Sequence, residues 1–197
     1  KPYAISEVSG DRNTTPKISN DLGGDVGLDV KYGLTQNLTA DLTVNTDFAQ
    51  VEADTQQINL TRFSLFFPEK REFFLENQGA FQFGTAGGFG QGTAEAPILF
   101  YSRRIGLNEG REVPIRAGGR LTGRVGKFSV GLLNIQTGAE EVSAALSTNF
   151  TAVRLKRDLL RRSSIGAIAT NRSTLADGPG TSQTYGADAA FAFFENL

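Results

Sequence analysis

The amino-acid sequence predicts an all-β fold, an antiparallel transmembrane β-barrel of which these 197 residues carry an incomplete part. Three observations point there. Apolar and polar side chains alternate with period two along several segments, tight turns alternate with long polar links, and 23 residues are glycine. A β-strand places successive side chains on opposite faces, so period-two alternation gives each strand one apolar and one wet side.

Residues 1–22 are polar and are broken by Gly10-Asp11-Arg12-Asn13 and Pro16, the chemistry of a lead-in or linker. The barrel domain is expected over 23–197. Its first strand sets Val26, Leu28, Val30 and Tyr32 against Asp25, Gly27, Asp29 and Lys31. After a tight link at 33–37, Leu38, Ala40, Leu42 and Val44 oppose Thr39, Asp41, Thr43 and Asn45. Further on, Ile115, Ala117, Leu121 and Val125 alternate with Arg116, Arg120, Thr122 and Arg124. Gly126-Lys127 then supplies a two-residue turn that pairs Val125 with Phe128, keeping the apolar residues of both strands on one face. Leu133 and Ile135 make both faces of the returning strand apolar and leave its faces unassigned. Thr151, Val153 and Leu155 oppose Ala152, Arg154 and Lys156, a short strand runs over 164–170, and Tyr185, Ala187, Ala189, Phe191 and Phe193 form a last row. Roughly nine strands result. That odd number, with an ending in mid-hairpin, points to a piece of a longer barrel.

The links at 33–37, 126–127 and near 160–161 are short, whereas 137–147 and 173–184 are long and polar. Outer-membrane barrels have this asymmetry, with short periplasmic turns and long external loops. A soluble β-sandwich alternates too, and it also has regularly spaced turns. The two differ in what the apolar rows meet, a second protein layer or lipid. Pattern alone leaves both open.

Composition removes several classes of chemistry. The chain has no cysteine and no histidine, so it offers no thiol nucleophile, disulfide framework, Ser–His–Asp triad or HExxH zinc helix. A net charge of −1 gives no footprint for nucleic acid. No run of about 18 apolar residues exists, so no transmembrane helix is expected. The glycine-rich stretch 84–92 lacks a GxGxxG, and Gly126-Lys127 lacks the rest of a phosphate loop, so no cofactor is expected.

The candidate sites are charged. Glu69, Glu72 and Glu76, beside Lys70 and Arg71, offer carboxylates that could divide acid and base roles in a glycan hydrolase. The competing expectation is a self-neutralising cluster that caps a segment tucked into the lumen. Arg116, Arg120 and Arg124 share one face at period two, with Arg154 and Lys156 joining from another strand. Asp25, Asp29 and Asp41 stand on the wet face of the first two strands. Together these eight are the expected lumen-lining residues, either setting a transverse field that selects solutes or pairing internally and closing the lumen. Asp47, Glu52 and Asp54 could hold Ca²⁺ through oxygen ligands, although the spacing lacks the glycine and terminal glutamate of an EF-hand. Tyr3, Tyr32, Tyr101, Tyr185, Phe191 and Phe193 suit an interfacial aromatic girdle or plain strand packing.

Residues 46–83 mix charges and aromatics without period two, so an irregular lumenal or plug-like segment is expected around 46–97. Here the run DFAQVEAD (47–54), the run LTRFSLFFPEKREFFLEN (60–77) and the later FYSRRIGL (100–107) resemble the C-terminal barrel domain of an uncharacterised bacterial family. In complete members that domain follows a family-9-type, DOMON-like carbohydrate-binding module. The resemblance runs from about Gly23 onward, with PEKREFFLE its most specific part, and it favours the barrel over the sandwich. It implies a bacterial outer-membrane location with membrane lipid as partner. The role it suggests is porin-like passage of solutes, saccharides among them, or anchoring of the carbohydrate-binding module. A hydrolase, or a structural subunit among other envelope proteins, is the alternative. The resemblance carries over no catalytic residues.

Overall fold

A computed structural model describes residues 2–11, 18–45, 68–84, 97–108, 111–160, 163–174 and 180–191. The acidic loop with Asp47, Glu52 and Asp54 lies outside the described residues, as does Phe193. Among the described residues ten strands form: β1 (Pro2–Asp11), β2 (Ile18–Thr35), β3 (Leu38–Val44), β4 (Leu107–Asn108), β5 (Arg111–Glu112), β6 (Ile115–Val125), β7 (Phe128–Thr137), β8 (Thr148–Leu160), β9 (Ser163–Thr174) and β10 (Thr181–Ala190). Eight of them make one antiparallel sheet in the order β1-β2-β3-β6-β7-β8-β9-β10, and β4 pairs with β5 separately. Chain neighbours are therefore sheet neighbours throughout, except that residues 45–114 are inserted between β3 and β6. Helix among the described residues is limited to one α-turn, Glu72–Leu75 (α1), and two 3-10 turns, Gln78–Phe81 and Ser102–Arg104.

The all-β, antiparallel architecture is the expected one. Closure is not present: among the described residues β1 and β10 are the two edges of an open sheet. The stretch expected as a lead-in also differs, because Pro2–Asp11 is a strand paired with β2 from Pro2↔Leu28 to Asp11↔Ile18. Ile5 and Val8 have opposite parity in sequence, so no period-two row announces this strand, and its register shifts between Ser9 and Asp11.

The turns at 36–37 and 126–127, and the facing ends of β8 and β9, lie at one end of the sheet, as antiparallel order requires. The strand ends that the longer links join, among them Thr137 and Thr148, lie at the other. Val125 pairs with Phe128 across Gly126, whose φ of +60° suits the tight turn.

Parity divides the sheet into two dissimilar faces. The outer face carries Val26 at 70% exposure and Leu42 at 57%, with Val30, Leu132, Val153 and Leu155 also exposed. Among the described residues no second layer covers these rows. Tyr32 and Tyr185 stand on this face and are exposed, whereas Tyr101 lies in the insertion and is half-buried.

The inner face is covered by the insertion. Leu133 and Ile135 point inward and are fully buried, packing with Ala152 and Ile115 against Phe74, Phe81 and Ile105. This resolves the doubly apolar strand: its second row meets protein, and its first does not. Ile115 joins the inner row because the register shifts between Ile115 and Ala117. Such a bulge re-aims the residues before it.

Candidate functional site: a charged segment crossing the inner face

Residues 76–84 cross the sheet in strand order. Glu76 meets Lys31 of β2, with Nζ donating at 2.7 Å, and is also met by Arg120 of β6. Asn77 Nδ2 donates to Thr122 Oγ1 of β6 at 3.2 Å. The Phe81 ring sits over Gly131 of β7. The Gln82 carbonyl accepts from Arg154 Nε of β8 at 3.0 Å. Phe83 packs at Gly186 of β10, and Gly84 N–H donates to Asp188 Oδ2 of the same strand at 3.2 Å. The chain thus spans from near one edge of the sheet to the other, fastened to most of the strands between.

Two buried arginines make the strongest attachments. Arg120, 4% exposed, donates from Nη2 to Asp41 Oδ2 at 2.7 Å and from Nη1 to the carbonyls of Phe73 and Glu76. Its guanidinium lies 5.0 Å from the Phe73 ring. Arg154, 2% exposed, grips Asp188 with both Nη groups at 2.5 and 2.7 Å and lies 5.7 Å from the Phe83 ring. A planar guanidinium can bind a carboxylate with one edge and still donate to a carbonyl, which suits it to tie sheet and segment together.

Glycines make room for this arrangement. A Cβ on Gly166 would sit 2.5 Å from Arg154 Nη1 and 2.8 Å from Nη2. That guanidinium is pinned by Asp188 and Gln82, so it has no cheap way to yield. We expect Gly166→Ala to destabilise the folded chain by about 1–3 kcal/mol, the usual cost of overpacking, read as a lower urea midpoint. A conservative surface site such as Ala187→Ser is the control.

The second attachment joins the two most distinctive motifs of the sequence. Within PEKREFF, Arg71 and Glu69 form a buried two-pronged pair, with Nε to Oε1 and Nη2 to Oε2 both at 2.8 Å. From FYSRRIG, Ser102 Oγ donates to Glu69 Oε2 at 2.7 Å, while the Ser102 and Ile105 carbonyls accept from Arg71 at 2.8 and 2.5 Å. Arg103 returns the contact by donating to the Pro68 carbonyl at 3.0 Å. The Arg71 guanidinium covers the Phe74 ring at 4.2 Å.

Burial of the Glu69 carboxyl favours its neutral form, but the hydrogen bonds and charge of Arg71, helped by Ser102, outweigh that and hold it below the usual glutamate range. A carboxyl lowered in the folded state stabilises that state above its unfolded value, and the gain is lost as pH falls through the folded value. The protection of residues 68–84 in hydrogen exchange is therefore expected to weaken once pH drops below about 4.3. Glu69→Gln should flatten that dependence. Lys31 holds Glu76 down by its hydrogen bond, with Arg120 adding.

The three candidate acids are engaged differently: Glu69 by Arg71, Glu76 by Lys31 and Arg120, while Glu72 is exposed. Of the eight expected lumen residues, Asp41, Arg120 and Arg154 are buried on the inner face. Asp29 is half-buried there, accepting from Thr43 Oγ1 at 2.5 Å. Arg124 is exposed at the short-turn end and pairs with Asp158, and Lys156 is exposed. Asp25 lies in β2 opposite Ile5. Arg116 leaves the row: the bulge at the start of β6 breaks the parity that aligned it with Arg120, and its side chain is exposed. Sequence reasoning missed Asp188, Lys31 as the partner of Glu76, and Ser102. Asp188 had a signal, since it interrupts the outward row Tyr185, Ala187, Ala189 at inward parity. No group of histidine, cysteine or acidic residues suited to a metal ion occurs among the described residues. No described helix is long and apolar enough to cross a membrane.

Fold and site define a single-layer antiparallel β protein whose inner face is laced to a charged crossing segment. The chain belongs to the family described as "Domain of unknown function (DUF5916)", whose model matches residues 1–135. That match begins earlier than the motif resemblance and ends before β8. No curated protein and no solved structure matches the chain.

Proposed function

We propose that the chain forms part of the wall of a bacterial outer-membrane β-barrel, with residues 68–84 as a plug held in the lumen, and that solutes pass when the plug yields. The observation that carries this is the exposed apolar outer face on a single-layer sheet. Water makes such a face costly, while hydrocarbon makes it favourable. From Val26 to Leu34 the outward row of β2 runs about 27 Å along the strand. With a tilt near 40° it would stand about 20 Å tall, close to the apolar band of known barrels. Toward the long-link end the outward residues turn polar. Asn134 Nδ2 donates to Thr151 Oγ1 at 2.8 Å and Asn149 Nδ2 donates to Gln136 Oε1 at 3.2 Å, as suits a boundary with headgroups and water.

The charged inner face supports a wet interior, and its pairing supports a closed resting state. The carboxylate hydrolase gains nothing from the geometry, because Glu69 and Glu76 are held by different cations. An anchoring role for a carbohydrate-binding module rests on the motif resemblance alone.

The test is to express the chain behind an export signal in a Gram-negative host and fractionate the envelope. Recovery in the outer-membrane fraction, resistant to alkaline carbonate and extracted only by detergent, is the expected result. A protein released into the soluble fraction without detergent would sink the proposal.

A further inference from the structure

We propose that the open cavity between the 98–108 segment and the long-link ends of β7, β8 and β9 binds an organic anion with a ring-shaped body. The cavity has a volume of about 710 Å³, within the range usual for small-molecule sites. Its described walls carry two cations, Arg104 and Arg172, and no carboxylate. Three buried arginines elsewhere are each met by an acid, Arg120 by Asp41, Arg154 by Asp188 and Arg71 by Glu69, whereas Arg104 and Arg172 are exposed beside the cavity. Arg104 and Arg172 form no ion pair among the described residues. Arg172 lies instead over the Phe150 ring, 5.7 Å from its centroid, which orients the guanidinium while leaving its donors unspent on any acid.

Two guanidinium groups beside one cavity are a receptor for a carboxylate or phosphate group, because each offers a planar fork to paired oxygens. The remaining walls add what a bare ion would not use. Phe100, Tyr101 and Phe150 present ring surface and Leu99 and Leu146 aliphatic surface, so a flat body can lie against them while its charged group meets the arginines. A neutral ring compound leaves the arginines uncompensated, and inorganic phosphate leaves the apolar wall wet. The cavity is built from this chain's own residues, so the inference stands or falls separately from the membrane reading.

The test is calorimetric titration of the folded chain in detergent micelles with galacturonate, glucose 6-phosphate, galactose and inorganic phosphate. One of the two charged sugars should bind, and galactose and phosphate should each bind about tenfold more weakly or worse. Arg172→Gln and Arg104→Gln should each weaken the charged sugar by about tenfold, with the β circular dichroism spectrum of the parent retained. Ala187→Ser, remote from the cavity walls, should leave binding unchanged. Galactose or inorganic phosphate binding as tightly as the charged sugars would overturn the proposal. So would indifference to both arginine substitutions in folded protein, or no binding by any charged sugar.

Discussion

If the outer face meets outer-membrane lipid as proposed, Leu42→Arg is expected to cost about 2–4 kcal/mol and to remove most of the protein from the outer-membrane fraction. Leu42 stands on the outer face of β3, 57% exposed. In water, a substitution at so exposed a site stays within about 0.5 kcal/mol, because the leucine loses little burial and the arginine keeps its hydration. In a bilayer the same guanidinium must shed water or drag it in. The two environments therefore predict effects that differ several-fold at one position. Urea titration of the chain folded into lipid vesicles measures the difference. The paired control is Thr39→Arg, on the other face of the same strand. An effect below about 0.5 kcal/mol for Leu42→Arg in vesicles would return the fold to the soluble β proteins.

Arg120→Met should release the crossing segment. It removes a guanidinium that binds Asp41, two carbonyls of the segment and the Glu76 carboxylate, and it leaves Asp41 buried without its cation. Taking one partner from a buried pair costs about 3–5 kcal/mol, mostly the desolvation of the charge left behind. That loss falls on the contact between sheet and segment, since the strand ladder needs no side chain. Limited proteolysis should find new cuts within 68–84 while the sheet persists. If the sheet is the wall of a closed pore, planar-bilayer conductance should rise in the same variant. The double substitution Arg120→Met with Asp41→Leu should recover much of the stability, because no buried charge then remains. Failure of proteolysis to reach the segment in Arg120→Met would mean that Arg154 and the Glu69–Arg71 anchor hold it unaided.

How much of this was legible in sequence depends on which force shaped each residue. The outward rows of β2, β3 and β8 were readable because one face of each strand is apolar and the other wet, and a period of two records that difference. The Val125–Phe128 pairing followed from a turn of two residues. Leu133 and Ile135 were unreadable for the opposite reason: the inner side of β7 meets Phe74 and Phe81 of a distant segment, which no local period encodes. Arg116 was misplaced because a bulge changes parity without leaving a clear mark in composition. The aperiodic stretch around 68–84 could be recognised as something other than a strand. Its seat could not, since Asp188 and Lys31 are partners fixed by strand order rather than by spacing. Glu69 and Arg71 were visible as neighbours, and their pairing was expected. Their engagement of Ser102 and Ile105 lies 31 to 34 residues away from Arg71.

The crossing segment also fixes an order of events during folding. It is synthesised before β6, yet the Gly84 amide must wait for Asp188, 104 residues later in the chain. The last of its fastenings does not exist until β10 has joined the growing sheet, so closure of that long loop comes at the end. Until then Phe83 lacks its seat at Gly186, whereas Phe73, Phe74 and Phe81 find theirs on β6 to β8. A fastening made across 104 residues of chain is a late event in assembly.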